Sequence, residues 1–215
     1  AIAWHFMNPD GTAFSASHLL LCDGDIGFRP KDVWRMVEAG KPIIVAPCPM
    51  KEIDWSRVAR AARAGVPPHL LSRYAGFFNV NRLAGPGSET GGEERVAAAI
   101  TAGERFQIER GGAGLMLIER RVLDELGRFV PRYVNRNHGS ALPPGALVSQ
   151  FFPVSIEDHD LGGDLRSEDY GLCDLWRRHG EASLCEGGKG GSVWAAPWVE
   201  VEHVGSHTFK GSFAD

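Results

Sequence analysis

The sequence has few cysteines, and those it has are scattered. Cys22, Cys48, Cys173 and Cys185 form no Cys-x-x-Cys pair. Their spacing is therefore not that of a zinc ribbon or of a small domain stapled by disulfides. We expect buried, reduced thiols, as in a cytoplasmic protein.

Long apolar runs and an excess of basic charge are also missing. No stretch approaches the roughly 20 apolar residues that a membrane span needs, and residues 1–6 have neither the charged region nor the cleavage site of a signal peptide. The formal net charge of −4 argues against a nucleic-acid-binding protein. With no internal repeat or low-complexity tract, the 215 residues suit one α/β domain over 1–215.

The chain is organised around a short apolar run, residues 19–22, that ends at Asp23-Gly24-Asp25. Such a run predicts a strand covered on both faces, as in the middle of a parallel sheet. Ligands of open α/β sheets bind beyond the carboxyl ends of such strands, where Gly24 would let the backbone turn. Two carboxylates this close together suit Mg²⁺, Mn²⁺ or Ca²⁺. Asp-Gly is equally common in acidic surface turns, so the dipeptide alone leaves both interpretations open.

Strands and helices alternate along the rest of the chain, which predicts a mixed, mostly parallel sheet flanked by helices. The loop that follows the strand at 43–46 should lie at the same sheet edge as the aspartates, and the Pro- and Gly-rich stretch 132–144 should be a loop. The predicted strands cover 18–22, 43–46, 106–110 and 115–118, and a short apolar segment follows at 193–196. The predicted helices cover 31–38, 56–64, 120–126 and 168–180. Pro30 and Gly40 mark the two ends of the first of these helices, and Trp34 is expected on its apolar face. The Gly-rich stretch 84–92 should be a loop.

The helix at 168–180 is the best specified in the sequence. Ser167 is a favoured N-cap residue, Glu168 and Asp169 occupy the first turn, and Gly180 ends the helix. Acidic residues at this position complement the helix dipole, so the pattern by itself is equally compatible with a purely structural role.

Three separated features now coincide: Asp23-Gly24-Asp25, the Ser167-Glu168-Asp169-Tyr170 segment, and His203-Val204-Gly205-Ser206-His207. Together they resemble a nucleotide-sugar-dependent glycosyltransferase of the A-type fold, in the broad family-2-like group, from about residue 18 to residue 209. The resemblance implies a Rossmann-like sheet. It also implies a nucleotide-diphosphate sugar as donor and a carbohydrate or other hydroxyl compound as acceptor.

The resemblance further implies a divalent cation, Mn²⁺ or Mg²⁺, as cofactor. Asp25 would ligate the cation directly, and Asp23 would contact the ribose or help to hold the same cation. A histidine near the end of the chain often completes such a site, and His203 matches that place better than His207. The metal would bridge the two donor phosphates and offset the charge of the leaving group.

Catalytic and acceptor-side residues are implied in the same way. Glu168 and Asp169 match the acidic pair of the family, and Asp169 would take the proton from the acceptor hydroxyl. Gly112 and Gly114 match a glycine-bearing strand that family members have beside the acceptor site. Taken without the resemblance, these glycines indicate either a bulge or a close approach of the backbone to a ligand.

The sequence departs from the family pattern at its beginning. Only 22 residues precede Asp23, whereas the family has its nucleotide-binding strands there, so we expect residues 1–17 to be the remnant of a longer nucleotide-binding half. Two alternatives stay open: a metal-dependent phosphotransferase or nucleotidyltransferase, and a truncated, non-catalytic relative that binds carbohydrate. Nothing in the sequence predicts an oligomeric state.

Overall fold

The structure is a computed structural model that describes residues 1–8, 16–83, 91–157, 163–180, 190–205 and 208–211. In chain order the elements are α1 Ile2–Met7, β1 His18–Cys22, β2 Ile26–Phe28, α2 Pro30–Glu38, β3 Ile43–Val45, α3 Trp55–Arg63, a 3₁₀ helix Pro68–Tyr74, β4 Val80–Arg82, α4 Gly91–Ala102, β5 Phe106–Gly111, β6 Leu115–Glu119, α5 Arg120–Leu126, β7 Arg132–Val134, β8 Leu147–Ser149, β9 Ser155–Glu157, β10 Asp164–Arg166, α6 Glu168–His179, β11 Val193–Ala195, β12 Val201–Val204 and β13 Thr208–Gly211.

The chain divides into two compact units. The first consists of Ala1–Leu19 and Ile118–Ser192, and the second of Leu20–Leu117 and Val193–Asp215. The boundary falls within β1 and β6, so these two strands begin in one unit and end in the other. The single domain expected over 1–215 stays a prediction.

The main sheet has six strands in the order β1-β6-β3-β11-β5-β4. All three residues of β3 are buried, and so are the first four of β6. Continuous apolar runs of this kind bury both faces of a strand. The α/β class predicted from the sequence is therefore confirmed.

The predicted parallel majority is wrong for this sheet. β3 and β11 pair in parallel, but β5 pairs antiparallel with both β11 and β4. Arg120 donates its N–H to the carbonyl of Ser17, and Asp23 donates its N–H to the carbonyl of Gly114. The start of β1 therefore lies beside the end of β6, and the end of β1 beside the start of β6, as in an antiparallel pair. Apolar runs report burial and not strand direction, which depends on how the connecting segments return, and this explains the error.

β1 is an edge strand of the sheet and not a central one. Only Leu19 of its five residues is buried, whereas Cys22 is exposed. The ends of β1 and β3 nevertheless lie at the same edge of the sheet, on either side of the start of β6. Asp23 donates to the carbonyl of Gly114, and Ala46 donates to that of Leu115. The loops that follow β1 and β3 consequently start side by side, as the sequence predicted.

The second unit also contains a sheet of three antiparallel strands in the order β13-β12-β2. Residues of β2, β12 and α2 pack with β3 and β6 in one buried apolar cluster. Its buried members are Ile26, Met36, Ile44, Ala46, Cys48, Leu115, Leu117, Ala196, Val199 and Val201. This cluster lies beneath the loops that carry the candidate site and fixes the strands from which they leave.

The first unit is built on α5 and α6, whose buried faces carry Val122, Leu123, Leu126, Leu172 and Trp176. The short helix α1 is fixed to this unit by side-chain hydrogen bonds from Trp4 to Leu147 and from Arg120 to Phe6. The stretch 132–144, predicted as a loop, begins with β7, which pairs antiparallel with β8. In the described residues no helix is long and apolar enough to cross a membrane.

Helix-end signals in the sequence located most helices well. α2 begins at Pro30 and is followed by Gly40 in the left-handed conformation, with φ of 57°. Trp34, expected on the apolar face of that helix, is 68% exposed, so this expectation is wrong. Cys185, His207 and positions 84–90 of the loop predicted at 84–92 lie outside the described residues, and positions 91–92 begin α4.

Candidate functional site

The acidic turn is held by the backbone on both sides. The N–H of Asp23 donates to the carbonyl of Gly114 at 3.0 Å, and the N–H of Ile26 donates back to the carbonyl of Asp23 at 3.1 Å. Gly24 lacks the positive φ that would require glycine, and a Cβ added there would have no heavy atom within 4 Å. The turn therefore does not depend on glycine, contrary to the sequence prediction.

The loop after β3 is fixed by a neighbouring extended segment. Cys48 donates its N–H to the Asn79 side chain at 3.1 Å, and Met50 donates its N–H to the carbonyl of Phe77 at 2.7 Å. Pro49 forms an isolated antiparallel bridge with Phe78. These contacts fix the backbone that presents the Pro49 carbonyl and leads, after Met50, to Lys51.

β12 brings a histidine to the same place. His203 lies opposite Ile26 in the β2–β12 pair, and the N–H of Val204 donates to the backbone carbonyl of Asp25 at 2.8 Å. The imidazole Nδ1 lies 2.8 Å from the carbonyl oxygen of Pro49, and Nε2 lies 3.5 Å from Oδ2 of Asp25. Because a carbonyl only accepts, Nδ1 carries the proton, and in neutral imidazole Nε2 presents its lone pair toward Asp25.

Lys51 supplies the positive charge that the acidic turn lacks. Its Nζ donates to Oδ2 of Asp25 at 2.6 Å, and both side chains are 41% exposed. This hydrogen bond is the main reason why the pKa of Asp25 lies below its ordinary value, and the nearby charges of Lys51 and His203 act in the same direction. Asp25 is therefore an ionised carboxylate at neutral pH.

Asp25 and His203 fit one side of a divalent cation site. Histidines that bind metals usually donate their other N–H to a carbonyl or carboxylate, which is the contact that His203 makes with Pro49. A carboxylate and an imidazole suit Mn²⁺ better than Mg²⁺. The described residues contain no group of three or more His, Cys, Asp or Glu side chains arranged to hold a metal. The predicted trio of Asp23, Asp25 and His203 is thus assembled only as the pair Asp25 and His203, while Asp23 is exposed at the start of the turn.

The predicted glycines lie in the short connection between β5 and β6. Gly112 is buried and donates its N–H to the carbonyl of Asn79 at 3.0 Å. A Cβ on Gly114 would lie 3.0 Å from Sγ of Cys48 and 3.6 Å from Ile26. Gly114 thus has a packing role, since it lets β6 approach the Cys48 loop, and a ligand-binding role for either glycine stays a prediction.

Cys48 is a buried thiol beneath the site. The residue is 2% exposed, and burial, followed by the charge of Asp23, raises the pKa of its thiol to about 12. A thiol with this pKa stays protonated at neutral pH and is not a nucleophile. Cys48 therefore contributes packing and not nucleophilic chemistry to this site.

Glu168 and Asp169 belong to the first unit, at the start of α6. The hydroxyl of Ser167 and the N–H of Tyr170 both donate to Oδ1 of Asp169, the latter at 2.8 Å. Ser167 is the N-cap residue as predicted, but its side chain contacts Asp169 instead of a backbone N–H of the helix. Glu168 is exposed. The catalytic role expected for these two residues stays a prediction.

A cavity of about 400 Å³ also lies in the first unit, between α1, α5 and the β7–β8 hairpin. The indole of Trp4, together with Leu123 and Phe151, contributes to its wall, and neither Glu168 nor Asp169 lines it. The cavity is therefore separate from the acidic helix start.

Sequence reasoning missed two components of the site, Lys51 and the carbonyl of Pro49. Both lie in the loop that was expected at the same sheet edge as the aspartates, so their location was predictable. Their roles were not, because one lysine and one carbonyl in a loop have no characteristic spacing. Those roles depend on contacts with Asp25 and His203.

Comparisons with known proteins add little to this geometry. No protein-family model and no curated protein sequence matches the chain. Among solved structures, the crystal structure of A197 from STIV is similar over 87% of this chain, with a TM-score of 0.36 and 12% sequence identity. This chain spans 58% of the length of that protein. At this TM-score the likeness indicates nothing about function.

Proposed function

We propose that this protein is a metal-dependent glycosyltransferase, which moves a sugar from a nucleotide-diphosphate donor to a hydroxyl acceptor. The proposal includes the A-type arrangement implied by the sequence resemblance, in which a Rossmann-like portion binds the donor. The observation that carries it is the meeting of Asp25 with His203, with Nδ1 of His203 held by Pro49.

A protonated His203 would pair with Asp25 directly, whereas the neutral form of His203 supports a metal site. A neutral imidazole whose Nε2 lone pair faces a carboxylate oxygen at 3.5 Å gains little by itself. A cation between the two groups makes the same arrangement favourable. Two protein ligands leave most of the coordination shell to water and substrate oxygens, as is usual for ions that bind nucleotide phosphates.

In the proposed reaction each residue has a limited task. Asp25 and His203 hold the ion, and the bound ion supplies charge neutralisation for the diphosphate leaving group. Asp25 is ionised at neutral pH, so it can hold the ion without first losing a proton. The role of general base belongs to Asp169 by the sequence resemblance, and its test is independent of the metal site.

The experiment is a calorimetric titration of the chain with ADP, CDP, GDP and UDP and with their common diphosphosugars. Each titration is made with Mn²⁺ and again with excess chelator. We expect one base to be preferred, and we expect binding to be lost in the chelator. Binding that survives chelation, or no binding to any compound by folded protein, would contradict the proposal.

Turnover measurements separate the alternatives. Transfer of a labelled sugar from the preferred donor supports the glycosyltransferase. Release of phosphate from simple phosphoesters would instead identify a phosphotransferase or hydrolase. Metal-dependent nucleotide binding without transfer or hydrolysis would identify a non-catalytic relative.

A further inference from the structure

The loop after β3 contains a charged side chain that the proposed metal site does not need. The ammonium of Lys51 occupies the space at Oδ2 of Asp25, which is the same oxygen that faces His203. A cation ligated by Asp25 and His203 would have to lie next to this oxygen. Lysine and metal therefore compete for one carboxylate oxygen.

The backbone beneath Lys51 is fixed, but its side chain is not confined. The residues just before it are bonded to Phe77 and Asn79, whereas the Lys51 side chain is 41% exposed. Lysine has a flexible four-carbon stem and a compact charge with three donors. Rotation of this stem can move the ammonium off Asp25 while the loop stays in position.

We propose that Lys51 is a donor-phosphate-binding residue that serves as the counter-ion of Asp25 until metal and donor arrive together. The inference rests on the proposed function, because it takes a metal-bound diphosphate as the ligand. When the ion binds Asp25 it repels the ammonium, and the diphosphate oxygens on that ion then offer the ammonium a new anionic partner. The exchange keeps the charges of Asp25 and Lys51 paired in both states.

This role has a consequence that a structural lysine does not share. Without nucleotide, Lys51 opposes the binding of the metal. With nucleotide present, Lys51 assists the binding of the diphosphate. Removal of its charge should therefore shift the two affinities in opposite directions.

The test compares the parent chain with Lys51→Met, which keeps an unbranched side chain only one atom shorter and removes the charge. Mn²⁺ alone is titrated and followed by the electron paramagnetic resonance of the unbound ion. We expect Lys51→Met to bind Mn²⁺ roughly 5-fold more tightly, since an exposed ion pair no longer competes. With saturating Mn²⁺, we expect binding of the preferred diphosphate among ADP, CDP, GDP and UDP to weaken roughly 10-fold, as one charge-assisted hydrogen bond is lost.

Lys31→Met is the matched control, because Lys31 is an exposed lysine of the same unit at the start of α2. It should change neither affinity, and thermal unfolding should verify that both variants are folded. Equal affinities in the parent and in Lys51→Met, or shifts in the same direction, would overturn the inference even if the parent binds the diphosphate with metal. Absence of metal-dependent binding by the parent itself would overturn the proposed function and, with it, the phosphate role of Lys51.

Discussion

The contacts described at the two acidic sites of this protein differ in their range along the sequence. Asp25 accepts a hydrogen bond from Lys51, which is 26 positions away in sequence. It also faces His203, which comes from a strand near the end of the chain. The described hydrogen bonds of Asp169 come from Ser167 and Tyr170, which lie within two positions of it in sequence. Contacts of the second kind accompany many helix starts, whereas the first kind forms only when the fold is complete. Long-range assembly is therefore the stronger indication of a functional site.

The largest effect should come from the assembled site. Asp25→Asn removes the charge that holds both Lys51 and the proposed ion, so we expect metal-dependent diphosphate binding to weaken by more than about 100-fold, beyond the usual cost of disturbing an outer-shell partner. Calorimetry with Mn²⁺ measures it. Glu52→Gln, at an exposed residue of the Lys51 loop, is the matched control and should bind like the parent. Equal binding by Asp25→Asn would show that the metal assignment is wrong.

The acidic pair at the start of α6 should respond differently if it is catalytic. We expect Asp169→Asn to leave metal-dependent donor binding unchanged and to lower the rate of sugar transfer about 10²–10⁴-fold, which is the usual contribution of a general base. Binding by calorimetry and transfer by labelled donor separate the two properties. Undiminished transfer would reduce Asp169 to a partner of Ser167 and Tyr170 at the helix start.

Packing beneath the turn should matter next. Gly114→Ala introduces a Cβ 3.0 Å from Sγ of Cys48, and overpacking of this kind costs about 1–3 kcal/mol of unfolding free energy. Gly24→Ala, in the turn itself, meets no heavy atom within 4 Å and should change stability by less than about 0.5 kcal/mol. Chemical denaturation measures both. If Gly24→Ala were the more destabilising variant, the described geometry of the turn would be wrong.

The comparison also shows what the sequence could and could not predict. Helix starts are local, so Ser167 and Pro30 were enough to locate the beginnings of α6 and α2. The direction and order of the strands depend on the paths of the connections, and here the prediction of a mostly parallel sheet is wrong. Residues that act through distant contacts share this difficulty: the resemblance supplied Asp25 and His203, but no pattern indicated Lys51.

The smallest effect concerns Cys48, the buried thiol under the assembled site. Burial raises its pKa from the ordinary 9.0 to about 12, so above pH 9 the unfolded chain releases a proton that the folded chain retains. The contribution of this thiol to the free energy of unfolding is fully present below that pH. It falls as the pH rises, by about 1 kcal/mol between pH 9 and 10. Cys48→Ala lacks this loss, so its stability deficit relative to the parent should shrink over that interval. A constant deficit in denaturation experiments at both pH values would mean that the floor of the assembled site admits water, and its acidic turn would then be no better shielded than an ordinary surface loop.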